Sequence, residues 1–279
     1  MLTDVKALYT IAREAGAALA AFNVYGLDVA QAVLQAAEEL KCPVVIQTGA
    51  TVLDMYTPFP LSEALVRGTY YARVPVACHL DHAKGLGPVI VALRAGYTSV
   101  MVDGSDLPFE RNVTLTAQIV EVAHSVGVPV EGELGSIAGL EDAEQGPFTE
   151  TYLTDPIAAF EFCKRTGVDA LAVSIGNVHG RYEGEPRLDF DRLGEIADRV
   201  KIPLVLHGCS GLSAADLERV ISLGILKTNF NTELRQAYYE GLRFVASSST
   251  EASMRELHEL LVPRVRSVVK EKLRMLGWR

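Results

Sequence analysis

The sequence lacks the features of a membrane or secreted protein. No apolar run approaches the ~20 residues that span a bilayer, and the mixed, charged start from Met1 to Glu14 predicts no signal peptide. The chain has only four cysteines, which are widely spaced and form no CxxC pair. That pattern is typical of reduced thiols. We therefore predict a cytoplasmic protein without a membrane partner.

An excess of positive charge is also missing. The 26 lysines and arginines face 35 aspartates and glutamates, which gives a formal net charge of −9. Such a balance argues against nucleic acid or an anionic membrane as a partner. An anionic substrate would need a local positive site, because the overall field would repel it.

No Pro/Gly-rich linker or low-complexity segment divides the 279 residues, so we expect a single domain over residues 1–279. Short β-rich apolar runs alternate with longer helical ones. Parallel strands need crossovers and closure removes sheet edges, so eight such units predict a TIM (β/α)8 barrel of the α/β class. The predicted strands are Ala18–Asn23, Pro43–Gln47, Val76–Leu80, Ser99–Val102, Val128–Glu133, Ala170–Ser174, Pro203–His207 and Ile225–Phe230.

Helical periodicity is clearest over Asp28–Leu40 and Asn112–Val126. A further helix is predicted over Glu251–Lys272, outside the eightfold count, and it would cover the barrel or contact a second subunit. Four glycines are predicted to end helices shortly before a strand: Gly96, Gly127, Gly167 and Gly224.

Polar residues cluster where the predicted strands end, which is where barrels of this type carry their chemistry. The strand Val76–Leu80 is expected to end as Asp81 and His82 emerge into solvent. His82, His179 and His207 follow three different strands, and three imidazoles with an open fourth position make a catalytic zinc site. The alternative is that Asp81 caps the next helix and His82 is a surface residue. The full set is Asn23, Asp81, His82, Asp103, Glu131, Glu133, His179, His207, Asn229 and Asn231.

Glycine-rich loops predict an anion site near the last strands. The segment 207–211 opens onto a helical stretch at Ser213–Leu223, and backbone N–H groups at such a helix start bind anions. Residues 227–232 would supply more donors, unless His207-Gly208 is a plain strand-to-helix turn. After the fifth strand, a long acidic segment resembles a lid. Glu141 would enter the site when it closes, or else is one carboxylate of a solvated loop.

Seven segments follow one another along the chain in a recognisable order: Ala21–Val24, His79–His82, Val102–Ser105, Glu131–Gly135, Gly176–Gly180, Leu206–Gly211 and Lys227–Thr232. Together they resemble the class II, metal-dependent ketose-bisphosphate aldolases of the fructose/tagatose-bisphosphate type. The resemblance implies that His82, His179 and His207 bind a catalytic Zn²⁺. It implies that Asp81 exchanges a proton with the aldehyde oxygen and that Glu141 does so with the dihydroxyacetone phosphate carbon.

Further residues take roles from the same resemblance. Asp103 and Glu133 match positions that hold a second or alternative metal. Asn229 matches a contact to the triose, and Asn23 is assigned to substrate binding. The phosphate and a monovalent cation, Na⁺ or K⁺, would be bound around Gly180, Gly208, Ser210, Asn231 and Thr232.

The implied activity is that of an aldehyde-lyase of carbohydrate metabolism and glycolysis. It would reversibly cleave fructose or tagatose 1,6-bisphosphate to dihydroxyacetone phosphate and glyceraldehyde 3-phosphate through an enediolate that zinc stabilises. The implied partners are a small phosphorylated sugar and further copies of the chain, in a homodimer or homotetramer.

Three departures from the family pattern leave the sugar open. Glu183 stands where many members have lysine, Thr48 and Thr51 lie where serine is frequent, and Cys209 replaces a common glycine. One alternative is therefore another phosphorylated ketose, such as an inositol-catabolism intermediate. A metal-dependent hydrolase would usually show a His-x-His pair on the first strand, which is absent. A non-catalytic or partner-dependent aldolase subunit is the third alternative.

Overall fold

A computed structural model describes residues 1–55, 61–137, 152–182, 184–248 and 253–278. Eight parallel strands form one closed barrel in sequence order, with β1 paired to β8. The predicted TIM barrel is thereby confirmed. The strands are β1 (Leu19–Asn23), β2 (Val44–Gly49), β3 (Val76–Ala83), β4 (Ser99–Val102), β5 (Val130–Leu134), β6 (Ala170–Val173), β7 (Leu204–Leu206) and β8 (Ile225–Phe230).

Helices surround the barrel and bury its outer face. The strands are buried on both faces, as parallel strands of this class are, and Phe22 stacks on Phe230 with ring centroids 5.7 Å apart. No helix within the described ranges is long and apolar enough to cross a bilayer. The helices are α1 (Val5–Ala15), α2 (Leu27–Glu39), α3 (Ala50–Met55), α4 (Leu61–Thr69), α5 (Leu86–Ala95), α6 (Phe109–Ser125), α7 (Pro156–Thr166), α8 (Phe190–Arg199), α9 (Ala214–Ser222), α10 (Thr232–Ser248) and α11 (Met254–Met275).

The glycines predicted to end helices do so. Gly96 and Gly167 are left-handed C-caps of α5 and α7, and Gly127 and Gly224 also have positive φ, at 76° and 109°. A residue with a Cβ is strained in this conformation, which is why glycine terminates helices here. Helix α1 was not among the predicted elements.

The predicted C-terminal helix covers the barrel. Lys270 of α11 binds Glu39 of α2, with Nζ and Oε2 2.6 Å apart. Just beyond α11, the Trp278 indole Nε1 donates to the Ala18 carbonyl oxygen at 2.8 Å. The helix therefore fastens the end of the described chain to the start of β1, and contact with a second subunit stays a prediction.

Strand β3 differs from its prediction at the end that carries the chemistry. It continues past Leu80 to Ala83, and its register with β4 shifts between these two residues. His82 has a φ of 45°, a conformation that costs energy for a non-glycine residue and is concentrated at functional sites. This break in the strand's alternation turns both Asp81 and His82 toward the barrel mouth. The expectation that Asp81 emerges into solvent was wrong, because it is buried.

Candidate active site

Three histidines meet at the C-terminal mouth of the barrel. His82 comes from β3, His179 from the loop after β6 and His207 from the end of β7. One ring nitrogen of each lies within 4.8 Å of the corresponding nitrogens of the other two. His207 Nδ1 lies 2.8 Å from His82 Nε2. The barrel thus brings together the residues that the sequence predicted as metal ligands.

The donor set of this cluster fits a cation. His82 turns its Nδ1 to Asp103 Oδ2, and His207 turns its Nε2 to Glu131 Oε1, each at 2.9 Å. An ionised carboxylate only accepts hydrogen bonds, so each of these outer nitrogens carries the proton. In neutral rings the two inner nitrogens then both carry lone pairs, which repel at 2.8 Å unless a proton or a metal ion lies between them. Histidines held from behind by carboxylates are characteristic of zinc sites.

A second group of possible ligands adjoins the first. His82, Asp103 and Glu133 also offer ligand atoms within 4.8 Å of one another. Asp103 accepts from the backbone N and the Oγ of Ser105 at 3.0 and 2.6 Å, and Lys84 Nζ lies 2.9 Å away. Burial alone would raise the pKa of Asp103, but the His82 and Lys84 interactions outweigh it and hold that pKa well below its usual value.

Asp81 is buried beside the histidines and surrounded by amides. Its Oδ2 accepts from Asn23 Nδ2 at 3.0 Å and from Gln47 Nε2 at 2.9 Å. Its Oδ1 accepts from Asn229 Nδ2 at 3.3 Å and lies 3.9 Å from His82 Nε2. These donors fix the orientation of the carboxylate. The alternative in which Asp81 caps a helix was wrong, because Gly85 precedes α5.

Gln47 was not among the predicted site residues. Thr48 and Thr51 of the same segment were named instead, but Thr48 lies buried on the outer side of the sheet, with its Oγ1 2.7 Å from the Tyr97 hydroxyl. Gln47 occupies the alternate, inward position, where its amide also donates to Asn23 Oδ1 at 2.8 Å. The signal was available as a polar residue at an inward position of a buried strand.

A small pocket lies beside His179 and Asn229. It includes every residue assigned to the phosphate region. Gly208 has a φ of 62°, and a Cβ there would lie 2.1 Å from the Val178 carbonyl oxygen, so the close approach of the two loops requires glycine. The lining is His179, Gly180, Gly208, Ser210, Asn229, Asn231 and Thr232.

The helix whose N-terminus lines this pocket is α10, not α9. Thr232 is the first residue of α10, and Asn231 before it donates to the Tyr25 hydroxyl at 2.9 Å. Helix α9 is capped by its own Ser213 and Asp216, and none of its residues is among the described lining. Gly208 and Ser210 of the segment 207–211 do line the pocket, and that this loop presents its N–H groups to an anion stays a prediction.

Lys227 was expected among the anion donors, and the structure places it elsewhere. It is completely buried inside the barrel, where its Nζ lies 2.8 Å from Glu131 Oε2. Burial would raise the pKa of Glu131, but Lys227 and His207 outweigh burial and hold it far below its usual value. Glu131 had been recognised only as a strand-end residue without a role.

Two residues of interest lie outside the described part of the chain, namely Glu141 and Glu183. Arg181, which follows the pocket-lining Gly180 in the chain, is exposed. When the Gln236 amide is oriented to satisfy its neighbours, the Gln236 side-chain oxygen accepts hydrogen bonds from Arg181 Nε and Nη2, both at 2.8 Å. A cation is thus held against α10 close to the phosphate region.

Known proteins resemble this chain over nearly its full length. The family described as fructose-bisphosphate aldolase class-II matches residues 3–279. A Bacillus subtilis (strain 168) protein named "Probable fructose-bisphosphate aldolase" is 43% identical over 237 residues, which are 83% of this chain and 82% of that protein.

Solved structures show the same likeness. The YdjI aldolase from Escherichia coli K12 aligns with a TM-score of 0.88 and 36% identity over 100% of this chain and 98% of that chain. The fructose-bisphosphate aldolase from Campylobacter jejuni aligns with a TM-score of 0.78 and 23% identity, over 100% and 97%. At that identity, the second likeness concerns the fold alone.

Proposed function

This chain belongs to the class II fructose-bisphosphate aldolase family, and from that premise we propose that it reversibly cleaves fructose or tagatose 1,6-bisphosphate to dihydroxyacetone phosphate and glyceraldehyde 3-phosphate. The chain is a class II aldolase, a lyase, and its family implies a divalent metal and a phosphorylated sugar substrate. One observation carries the proposal. The histidine cluster, the buried Asp81 and the glycine-lined pocket lie side by side at one barrel mouth.

We assign His82, His179 and His207 as the ligands of a zinc ion, with Asp103 and Glu133 at the alternative position. When bound, zinc supplies a Lewis acid for the negative charge that develops on the substrate oxygens. Neutral imidazoles leave the charge of the ion undiminished. The ion therefore adds positive charge to a chain whose net charge is −9.

Asp81 handles the proton at the bond that breaks. In cleavage, its carboxylate takes the proton of the C4 hydroxyl, the C3–C4 bond breaks and the aldehyde leaves. The electron pair of that bond remains on the dihydroxyacetone phosphate half as an enediolate. In condensation, Asp81 returns the proton to the aldehyde oxygen. The amides of Asn23, Gln47 and Asn229 hold the carboxylate in the orientation that this transfer requires.

Glu141 is proposed to protonate the C3 carbon of that enediolate and so release dihydroxyacetone phosphate. Asn229, which lines the pocket and reaches Asp81, is assigned to the triose. The phosphate is assigned to the backbone N–H groups and side chains around Gly180, Gly208 and Thr232, since the start of α10 adds a favourable dipole. That Na⁺ or K⁺ binds beside it stays a prediction, as do the homodimer or homotetramer and the single domain.

The test is cleavage of both bisphosphates side by side, with EDTA and with added zinc. We expect EDTA to abolish cleavage and zinc to restore it, and the ratio of the two rates identifies the sugar. Asp81→Asn should lower kcat by about 10²- to 10⁴-fold, the usual contribution of a positioned acid or base, while zinc stays bound.

The matched control is Asp198→Asn, which changes an exposed aspartate of α8 in the same way. This variant should leave the cleavage rates of fructose and tagatose 1,6-bisphosphate unchanged. EDTA-resistant cleavage would exclude the metal-dependent mechanism, and parental turnover in a zinc-loaded Asp81→Asn protein would exclude the proton transfer assigned to Asp81.

A different phosphorylated ketose is the second candidate, and Arg181 favours it. This residue follows Gly180 of the phosphate region, and its guanidinium is held by Gln236, in a segment where the sequence departs from the family pattern. A substrate with another group at its far end would meet this cation. The test is kcat/KM for a panel of phosphoketoses, measured in the parental and Arg181→Gln proteins. The substrate whose kcat/KM falls in the variant is the one that Arg181 contacts.

A further inference from the structure

A layer of buried polar side chains lies directly beneath the candidate site. Inward positions of a strand are two residues apart, and each member of this layer precedes a site residue by two positions. The pairs are His79 with Asp81, Glu131 with Glu133, and Lys227 with Asn229. The three supporting side chains are buried and none is among the described pocket-lining residues.

Glu131 connects this layer to the metal centre. Its Oε1 accepts from His207 Nε2 at 2.9 Å, and its Oε2 accepts from Lys227 Nζ at 2.8 Å. Each carboxylate oxygen is therefore committed to a different partner. Because His207 donates from Nε2, its Nδ1 is unprotonated in the neutral ring and directs its lone pair toward His82.

His79 is not the cation that balances Glu131. Its Nδ1 lies 2.8 Å from Ser99 Oγ, and its Nε2 is 3.8 Å from Glu131 Oε2. Burial and the charge of Lys227 lower the pKa of His79 well below its usual value. Lys227 thus supplies the positive charge in this layer.

We propose that Lys227 is a positioning residue for the metal centre: it neutralises and orients Glu131, which in turn fixes His207 with Nδ1 toward the ion. The inference rests on the metal-dependent function proposed above. Lys227 is not placed to form a Schiff base with the sugar, because its amine is fully buried and already bound to a carboxylate.

The physical reason is the cost of an uncompensated buried charge. Without Lys227, the Glu131 carboxylate would lose the partner of its Oε2 in a dry environment and would rotate or admit water. His207 would then lose the acceptor that fixes its tautomer. Loss of such a partner behind a metal-binding histidine weakens metal affinity by about 10- to 100-fold.

The experiment measures zinc affinity by competition with a chromophoric chelator in the full chain. Lys227→Met and Glu131→Gln should each weaken zinc binding about 10- to 100-fold, with circular dichroism checking that the fold is kept. Lys227→Arg, which retains the charge, should recover part of the affinity. Borohydride treatment with dihydroxyacetone phosphate should give no covalent adduct at Lys227.

Lys272→Met provides the control for a lost buried ion pair. Lys272 is also buried, and its Nζ lies 2.6 Å from Glu233 Oε1. This variant should lose stability as Lys227→Met does, but it should bind zinc with parental affinity. A comparable loss of zinc affinity in Lys272→Met would mean that general destabilisation explains the effect.

Parental zinc affinity in folded Lys227→Met, or an adduct trapped at Lys227, would overturn the proposal. Should Lys227→Met not fold, Lys227→Gln decides, because its amide can still donate to Glu131 Oε2 without carrying a charge: weakened zinc binding supports the proposal and parental binding overturns it. A parental chain that binds zinc but cleaves neither bisphosphate contradicts only the proposed substrate. One that binds no zinc overturns both.

Discussion

His82 and His207 are supported in the same way at two depths of the barrel. Each turns one ring nitrogen to a carboxylate that also binds a lysine. At the rim, Lys84 binds Asp103, and the Lys84 side chain is 55% exposed. Inside the barrel, Lys227 binds Glu131, and neither is more than 2% exposed. The same histidine–carboxylate–lysine arrangement thus occurs twice, but only the arrangement at the rim is exposed to solvent.

The difference in depth separates two roles. Asp103 belongs to a second cluster of possible ligands with His82 and Glu133, so the rim carboxylate can serve either as a support or as a ligand. Glu131 has both oxygens committed to buried partners. The deep carboxylate therefore holds its histidine, and only the rim carboxylate is also a candidate ligand.

Removal of either supported histidine should have the largest effect on activity, because it takes away a proposed metal ligand and not only the group that supports it. His82→Ala and His207→Ala should each lower kcat/KM by about 10³-fold or more, because several kcal/mol of charge stabilisation depend on the metal. Steady-state kinetics and bound zinc are the measurements. His124→Ala, at a half-exposed position of α6, is the control. Strong zinc binding after loss of either histidine would contradict the ligand assignment.

Removal of each lysine sharpens the comparison through stability. Lys227→Met leaves a buried carboxylate unpaired and should cost about 3 to 5 kcal/mol of unfolding free energy. Lys84→Met removes an exposed partner and should cost less than about 1 kcal/mol. Urea unfolding of the zinc-free proteins measures both. Equal costs would show that depth does not separate the two arrangements.

Acid should weaken the deep arrangement in a defined direction. Burial opposes the ionised form of Glu131, yet Lys227 and His207 lower its pKa in the folded protein. Its contribution to stability is therefore complete above the ordinary value near 4.5 and declines as the pH falls below it. The stability difference between parent and Glu131→Gln should be constant near neutral pH and shrink in acid.

Urea unfolding of the zinc-free proteins between pH 7 and pH 3 measures this difference. Asp103→Asn should show the same direction with a smaller amplitude, since Lys84 is largely solvated. A difference that grows as the pH falls would contradict the sign.

The barrel and its ligand positions were accessible to sequence analysis for different reasons. Alternating apolar runs fixed the eight strands because parallel strands buried on both faces are continuous in hydrophobicity. His82, His179 and His207 stood out because imidazoles followed such runs. The extension of β3 to Ala83 was not accessible, since it depends on a register shift with β4 and on the left-handed backbone of His82.

The supporting layer was missed because its contacts cross the barrel. Glu131 and Lys227 are 96 residues apart, and no local pattern joins them. The alternation of side chains along a strand did hold a signal. Lys227 lies two residues before Asn229, and Glu131 two residues before Glu133, so each pair points to the same side of the sheet. Reading backward from each predicted site residue would have found both.

The fastening of Ala18 to Trp278 has a consequence for synthesis on the ribosome. Strand β1 finds its second neighbour only when β8 emerges, about 200 residues later, which takes about 10 to 40 s at ordinary translation rates. The Ala18 carbonyl waits longer still, for Trp278. Until β8 emerges, the nascent chain carries the apolar edge from Leu19 to Phe22 without its second neighbouring strand. We therefore expect mispairing of this strand edge with other nascent chains to be most frequent during this interval and not after release.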